Sequence, residues 1–204
     1  ALRLAQENPT RQIVFVGVGF ETTTPLVAMA IKRARAMGLT NFTVYGAHKN
    51  MPGALEVIIN DPALKLDALI LPGHVSTIIG AEPYRFLAEK YGIPGVITGF
   101  EPVDVLQGIA MIMRQLHEGR AEIEIAYARG VMPEGNPVAL AAIDEVFETC
   151  SATWRGLGEI PGSGYRIREE FADFDAMRRF QPDVEEVREH KGCRCGDVLR
   201  GIMA

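Results

Sequence analysis

Two hydrophobic periods alternate along the first two-thirds of the chain. Short, almost wholly apolar runs rich in β-branched residues are typical of strands buried on both faces of a parallel sheet. Longer segments with apolar residues three and four positions apart are typical of amphipathic helices. The predicted strands are Ile13–Val18, Phe42–Gly46, Leu69–Leu71, Gly95–Thr98 and Ile123–Tyr127. The predicted helices are Thr24–Met37, Pro52–Ile59, Pro83–Tyr91, Pro102–His117 and Pro137–Cys150.

This alternation predicts an α/β fold. Parallel strands joined by right-handed helical crossovers form a doubly wound sheet with helices on both faces. We therefore expect a mostly parallel, Rossmann-like α/β domain over residues 11–150. The glycine-rich stretch Trp154–Gly164 breaks the alternation. Residues 151–204, beyond a boundary near Ser151, are expected to begin a small cysteine-containing C-terminal domain.

Composition excludes several classes of function. The chain is 48% hydrophobic and 23% charged, with a formal net charge of −5. An acidic chain with scattered lysines and arginines lacks the basic face that nucleic-acid binding requires. No apolar run approaches the roughly 20 residues of a membrane span. The first residues lack the apolar core of a secretion signal, and three cysteines do not indicate a secreted disulfide framework, so a cytoplasmic location is expected.

Polar residues follow the predicted strands at the turns that lead into helices. Because the carboxyl ends of parallel strands share one edge, these residues are predicted to line a common ligand-binding edge. They are Glu21 with Thr22 and Thr23, His48, His74 with Ser76, Glu101 with Asp104, and Arg129. Structural roles are the alternative: carboxylates favour helix N-termini, threonines cap them, and single histidines often only donate hydrogen bonds.

Three familiar catalytic or nucleotide-binding patterns are absent. Gly17-Val18-Gly19 begins like a dinucleotide fingerprint, but Thr22 stands where the third glycine belongs, and His48 replaces the acid that would bind the ribose. The sequence also contains neither a phosphate-binding Gly-Lys-Ser/Thr loop nor a Gly-x-Ser-x-Gly nucleophile turn. NAD binding is therefore not expected.

Cys193 and Cys195 form a Cys-x-Cys pair between Gly192 and Gly196. Two thiolates at this spacing can contact one metal ion or cluster, and neighbouring cations favour the thiolate form. Closed zinc or iron–sulfur sites require about four ligands. The third cysteine, Cys150, is predicted to be a small core residue. The alternative for the pair is two reduced thiols without a metal.

Six segments of this chain also occur together, in one fixed order, in a known family. They are Gly19–Pro25, Leu71–Ser76, Gly99–Asp104, Glu134–Asn136, Trp154–Gly158 and Cys193–Gly201. Through these six segments and their order, the chain resembles the HypD family of hydrogenase formation proteins.

The resemblance implies a scaffold for the maturation of [NiFe] hydrogenases. Family members assemble an iron bearing two cyanides and one carbon monoxide, Fe(CN)2CO, with the chaperone HypC and the cyanide donor HypE. They have two similar α/β domains and a third, cysteine-rich domain that holds a [4Fe-4S] cluster. The cluster and nearby thiols are expected to supply electrons.

The resemblance also assigns roles to individual residues. Cys193 would be a cluster ligand and Cys195 a redox-active thiol. A cleft that positions the iron ligands or moves protons would contain Glu21, Thr22, Thr23, His74 and Glu101. The family's Cys-Gly-Thr-His and Gly-Pro-Gly-Cys-Pro-Val-Cys motifs and its last cysteines are missing. The chain therefore resembles a central to C-terminal fragment, which would hold neither cofactor completely.

Two other functions remain open from the residues alone. A small metal-dependent hydrolase would use His48, His74, Glu21 and Glu101 at the predicted edge. A non-catalytic interaction module would need none of the cysteines. The family resemblance favours a scaffold with a redox role over an enzyme that turns over a substrate.

Overall fold

The computed structural model describes residues 1–62, 64, 66–183, 190–200 and 202–203. Gly201, the last residue of the last motif, lies outside this range. The helices are α1 (Leu2–Glu7), α2 (Thr24–Ala36), α3 (Met51–Ile59), α4 (Gly73–Ile79), α5 (Arg85–Tyr91), α6 (Pro102–Glu118), α7 (Pro137–Val146), α8 (Ala176–Phe180) and α9 (Cys195–Leu199). The strands are β1 (Ile13–Gly19), β2 (Phe42–His48), β3 (Leu69–Pro72), β4 (Gly95–Thr98), β5 (Ile123–Ile125), β6 (Phe147–Trp154) and β7 (Gly158–Ile167).

The prediction of an α/β protein with mostly parallel strands is confirmed, but the single doubly wound sheet is wrong. Within the described ranges the strands form three sheets: β1–β2, β3–β4–β5 and β6–β7. The first two sheets are parallel and the third is antiparallel. The chain divides into a first unit, Ala1–Gly53 with Ala141–Asp197, and a second unit, Ala54–Leu140 with Val198–Ala204.

The first unit is built on the paired strands β1 and β2, from Ile13 opposite Phe42 to Gly19 opposite His48. Helix α2 packs on this pair through Val27, Ala28 and Ile31. The β6–β7 hairpin packs on β2, and Phe147 and Ile160 are buried within the unit.

The prediction that β1 is buried on both faces is wrong. Val16 and Val18 are 61% and 65% exposed, and Val14 and Phe15 are also exposed. In the described part of the chain β1 pairs only with β2, so one edge of this strand has no neighbour. Apolar composition alone therefore predicted the strand correctly but not its burial.

The predicted helix Pro137–Cys150 is too long. Helix α7 ends at Val146, and Phe147 begins β6, whose burial then alternates along the strand. Residues Phe147–Cys150 pair with β7, and a long-range strand partner of this kind overrides local helical spacing. The predicted boundary near Ser151 lies inside β6, and a separate cysteine-containing domain stays a prediction.

The second unit is built on β4, which lies between β3 and β5 and is buried along its whole length. Helix α6 packs on β4 and β3. Gly108 permits this packing because a Cβ at that position would overlap the methyl group of Thr98. None of the helices described in either unit is long and apolar enough to cross a membrane.

Candidate functional site

The predicted edge residues belong to two different sheets. Glu21, Thr22, Thr23 and His48 follow β1 and β2 in the first unit, whereas His74 and Glu101 follow β3 and β4 in the second. Each set is therefore described as its own site.

In the first unit, Glu21 and His48 are buried, with 1% and 2% of their surfaces exposed. The backbone N–H of Met51 donates to Oε1 of Glu21 at 2.9 Å. Oε2 of Glu21 and both ring nitrogens of His48 are buried without a hydrogen-bond partner among the described residues. Gly17 makes room for the imidazole, because a Cβ there would lie 2.7 Å from its Cε1. Buried polar atoms without partners are costly and are often found at functional sites.

Burial shifts the pKa values of both Glu21 and His48. Desolvation raises the pKa of Glu21, although hydrogen bonds from the backbone N–H groups of Glu21 and Met51 partly oppose it. Desolvation lowers the pKa of His48. Both effects favour the neutral form of the side chain. A neutral carboxyl group beside β1 can keep its proton at a higher pH than an exposed glutamic acid.

Aromatic rings surround these two groups. The ring of Phe147 meets His48 edge-on with centroids 6.0 Å apart, and it meets Tyr165 at 6.4 Å. Burial, followed by the charges of Glu21 and Asp144, raises the pKa of Tyr165. Tyr165 was not predicted, because its position depends on β7 pairing with β6.

The threonines after β1 have mainly local contacts. The Thr23 hydroxyl donates to the carbonyl of Phe20 at 3.2 Å, and the Thr24 hydroxyl donates to the same carbonyl at 2.9 Å. Thr22 is half-buried. Gly19, with φ +150°, lies so close to Thr23 that a Cβ would overlap its hydroxyl. These contacts fix the turn that carries Glu21.

We expect the two buried groups to give opposite pH dependences of stability. The unfolded His48 titrates near 6.5, and because its folded pKa is lower, its stabilising contribution is lost as pH falls below 6.5. Glu21 has a raised folded pKa, so its contribution is present below 4.5 and is lost as pH rises.

The measurement is urea unfolding at several pH values between about 5 and about 8. Fluorescence of Trp154, the only tryptophan, reports on the first unit. Relative to the unchanged chain, His48→Gln should make the slope of unfolding free energy against pH more negative, and Glu21→Gln should make it more positive. Equal slopes in all three proteins would contradict the assigned pKa shifts.

In the second unit, Arg129 binds Asp104 through two hydrogen bonds, at 2.6 and 2.7 Å. The same guanidinium lies 3.2 Å from Oε2 of Glu101 and stacks over Tyr127 at 4.6 Å. Arg129 lowers the pKa of Asp104 by donating these hydrogen bonds to its carboxylate. Arg129 therefore lies between two carboxylates at this edge of the second unit. Tyr127 is the member of this group that the sequence did not reveal.

His74 and Glu101 are both exposed. The imidazole of His74 meets Phe100 edge-on with a centroid distance of 4.7 Å. Glu101 lies at the N-terminal cap position of α6. The second unit thus presents an imidazole, an aromatic ring and a carboxylate on its surface.

The repeated tripeptide Gly-Phe-Glu is used differently in the two units. Gly19 and Gly99 both lie against a side chain of the following turn, Thr23 and Asp104 respectively. Glu21 is buried, whereas Glu101 is exposed. The repeat therefore reproduces the turn but not the environment of the acid.

Cys193 lies in the loop before α9 and Cys195 is the first residue of that helix, which packs at its start against the β6–β7 turn. The backbone of Gly156, with φ +79°, approaches Gly196 so closely that a Cβ on either glycine would clash with the other backbone. The N–H of Cys193 donates to the carbonyl of His190 at 2.8 Å. Cys193 is half-buried and Cys195 is exposed.

Among the described residues, the cysteines do not belong to a group that could close a metal site. Three cysteines are present, and Cys150 lies in β6, where burial raises the pKa of its thiol. Across the described part of the chain, no group of three or more His, Cys, Asp or Glu residues could hold a metal ion. The metal-dependent hydrolase hypothesis, with His48, His74, Glu21 and Glu101, gains no support.

Motif-like segments make contacts with distant parts of the sequence inside each unit. In the first unit, Trp154 lies 5.9 Å from the ring of Phe20 and donates to Oγ of Ser163 at 2.8 Å. In the second unit, the N–H of Asn136 donates to the carbonyl of Ile78 at the end of α4. Segments that are distant in sequence therefore support one another in each unit.

Comparisons with known proteins show which proteins the chain is similar to. A family model described as "HypD: Hydrogenase formation hypA family" matches residues 1–204. The chain is 49% identical over 208 residues to "Hydrogenase maturation factor HypD" of Rhodobacter capsulatus, covering 100% of this chain and 55% of that protein. It is 48% identical over 210 residues to "Hydrogenase expression/formation protein HupD" of Azotobacter chroococcum mcd 1, with the same two coverages. A protein of Cupriavidus necator named "Hydrogenase maturation factor HypD" is 45% identical over 209 residues, which cover 99% of this chain and 55% of that protein. The chain thus spans about half the length of these relatives.

Proposed function

The chain belongs to the HypD hydrogenase formation family, and from this membership we propose that it takes part in the maturation of [NiFe] hydrogenases. In this role it supplies part of a scaffold and does not turn over a free substrate. The iron centre Fe(CN)2CO is the cargo that the scaffold helps to assemble. A HypC-type chaperone and a HypE-type cyanide donor are the proposed partners, and the cytoplasm is the proposed location.

The packing of the cysteine segment against the Gly156 turn is the observation that best supports this proposal. The Cys193–Gly196 segment lies directly against the Gly156 turn, and both segments match motifs of the family. Trp154, at the start of that turn, reaches Phe20 next to the buried Glu21. The thiols, the turn and the first-unit site therefore belong to one compact unit.

Cys195 is proposed as the redox-active thiol. When two thiols form a disulfide they release two electrons and two protons, and the electrons can reduce a bound centre. The exposed position of Cys195 lets a second thiol approach it. Arg194 is held by Asp197 at 2.6 Å, so its charge remains beside the pair.

A four-thiolate [4Fe-4S] cluster does not fit the residues present. The chain has three cysteines, and Cys150 is a β6 residue with a desolvated thiol. Cys193 is proposed to supply one of the four thiolates in a longer family member. No step of the present proposal passes through the cluster.

The two polar sites are proposed to serve different tasks. Burial raises the pKa of Glu21 and so favours its protonated form; this side chain can hold a proton and release it, and Thr22 and Thr23 belong to the turn that carries it. His74 and Glu101, both exposed in the second unit, can contact the cargo or a partner protein. The Glu101 carboxylate can accept a hydrogen bond from a water ligand, and the N–H of the His74 imidazole can donate one to a cyanide ligand.

A complementation experiment tests this function. In a bacterium that lacks its own HypD-family protein, a relative would be expressed in which the matching region is replaced by residues 1–204. We expect hydrogenase activity to return. A chimera that is folded and present at normal level, but leaves hydrogenase inactive, would overturn the proposal.

In the same assay, Glu101→Gln is expected to reduce maturation without lowering thermal stability. The Glu101 side chain is 76% exposed, so losing its ion pair with Arg129 should change stability by less than about 0.5 kcal/mol. Hydrogenase activity and the melting temperature would be measured together. Glu118→Gln is the matched control, because Glu118 also pairs with an arginine, Arg120, but lies outside the motifs. A large fall in melting temperature for Glu101→Gln would mark Glu101 as a structural residue.

A further inference from the structure

Helix α6 exposes a face that is more apolar than the face it buries. Val103, Leu106 and Met113 are 72%, 66% and 59% exposed. The residues that α6 buries in the second unit include Asp104 and Gln115. Contiguous exposed apolar surface of this kind marks interaction sites.

The buried face of α6 is complete without the apolar residues. Gly108 allows the close approach to Thr98, and Gln115 donates to Glu124 at 2.7 Å and accepts from the N–H of Glu122 at 2.9 Å. Asp104 is bound by Arg129. The second unit therefore does not use the opposite face of α6 for its own packing.

The exposed and buried positions follow a heptad. With Val103 at position a, the buried and half-buried residues fall at b, c and f, namely Asp104, Val105, Gly108, Met111, Ile112 and Gln115. From Val103 to His117, the exposed residues fall at a, d, e and g, namely Val103, Leu106, Gln107, Ile109, Ala110, Met113, Arg114, Leu116 and His117, and Glu118 at the end of the helix is also exposed at b. Positions a, d, e and g are those through which one helix contacts another in a coiled coil.

We propose that this face binds α6 of a second copy of the chain in an antiparallel pair about a two-fold axis. Val103 of one copy then faces Met113 of the other, and Leu106 faces Ala110. Ile109 lies next to its own equivalent near the axis. The same residues serve both copies, as a two-fold interface requires.

Side chains at the two ends of α6 favour the antiparallel direction. Phe100 and Glu101 precede the first turn, whereas Arg114 and His117 lie in the last two turns. Antiparallel pairing brings Arg114 of one copy next to Phe100 of the other, where a cation–π contact is possible, and next to Glu101, whose exposed carboxylate would then be shared with Arg129 of its own copy. A parallel pair would place like ends together. Glu118 does not oppose this arrangement, since it is already paired with Arg120.

The size of the contact predicts a weak dimer. Helix α6 has 17 residues, which corresponds to a length of about 26 Å. One helix pair of that length lies near the lower end of the interface sizes seen in stable complexes. We therefore expect a dissociation constant of about 1–100 µM.

Sedimentation velocity of the chain at graded concentrations tests this proposal. We expect reversible dimerisation, which Leu106→Lys and Ala110→Glu should each weaken by about 100-fold or more, because either buries an unpaired charge. Mixing the two variants should restore a dimer, because the introduced ammonium group of one copy then faces the introduced carboxylate of the other. Val138→Lys is the matched control, since Val138 is 78% exposed on α7 and lies outside this face.

Three results would overturn the proposal: a chain that stays monomeric, a dimer unaffected by Leu106→Lys, or single variants that fail to recover when mixed. The first would assign the apolar face to another occupant, such as residues that the longer relatives carry outside the matched region. Circular dichroism of each variant separates these results from misfolding, because exposed substitutions should leave helix content unchanged. The outcome does not depend on hydrogenase maturation, so the two proposals can fail separately.

Discussion

Replacing Cys195 by alanine is expected to lower hydrogenase maturation by about 100-fold or more, because a methyl group can neither ionise nor form a disulfide. The measurement is hydrogenase activity in the complementation assay described above. Cys195 is exposed, so its removal should leave the fold unchanged. The segment is held by the backbone contact between Gly156 and Gly196, which the substitution does not alter.

Cys150→Ala is the matched control for this result. Cys150 is half-buried in β6, and burial raises the pKa of its thiol, so it is a poor nucleophile at neutral pH. We expect the control to cost about 1 kcal/mol of stability, through a small cavity, and to leave maturation close to normal. Normal maturation with Cys195→Ala, at an unchanged protein level, would show that the redox role is wrong. Equal losses from both substitutions would point to a general effect of thiol removal on folding.

The local elements of this fold could be predicted from sequence because each has a local signal. The apolar runs at Ile13 and Gly95 predicted strands, and the spacing of Val103, Leu106 and Met113 predicted α6. Pro25 and Gly38 marked the two ends of α2, where Gly38 has φ +63°. Helix and strand signals of this kind depend on neighbouring residues and need no knowledge of the rest of the chain.

Contacts between residues that are distant in sequence determine strand pairing and burial, which local patterns did not predict. Cys150 was assigned to a helix because its neighbours have helical spacing, but pairing with Gly164 makes it part of a strand. The exposure of Val16 depends on which strands lie beside β1. The apolar residues of α6 lie on one side of the helix, whereas the helix buries its opposite side. Periodicity shows that a helix has an apolar face but not which element covers it.

The sequence predicted where the candidate site residues lie along the chain, but it did not predict which of them belong to the same sheet. The turns after the strands correctly located Glu21, His48, His74 and Glu101 at strand ends. Their separation into two sheets could not be read from the sequence, because strand order depends on long-range pairing. The approach of Gly156 to Gly196 was likewise hidden, although both glycines lie in motifs.

Gly73→Ala is expected to lower the stability of the second unit by about 2–4 kcal/mol. Helix α4 begins at Gly73 directly after β3, and Pro72 pairs with Thr98 of β4. A Cβ at Gly73 would overlap the carbonyl oxygen of Thr98 and lie 3.0 Å from Cδ1 of Tyr127. The overlap is with backbone, so no rotation of a side chain can relieve it and α4 must move away from β4.

Hydrogen exchange measured by mass spectrometry should show reduced protection in α4, β4 and α6 of Gly73→Ala. Gly46→Ala is the control, since Gly46 also lies in a strand, β2, but a Cβ there has no atom within 4 Å. The control should lose little stability, because alanine fits the extended backbone. Movement of α4 would also carry His74 away from Phe100, which it now meets at 4.7 Å. Maturation should therefore fall with Gly73→Ala even at temperatures where the unit stays folded, whereas unchanged protection would show that α4 and β4 are not packed this closely.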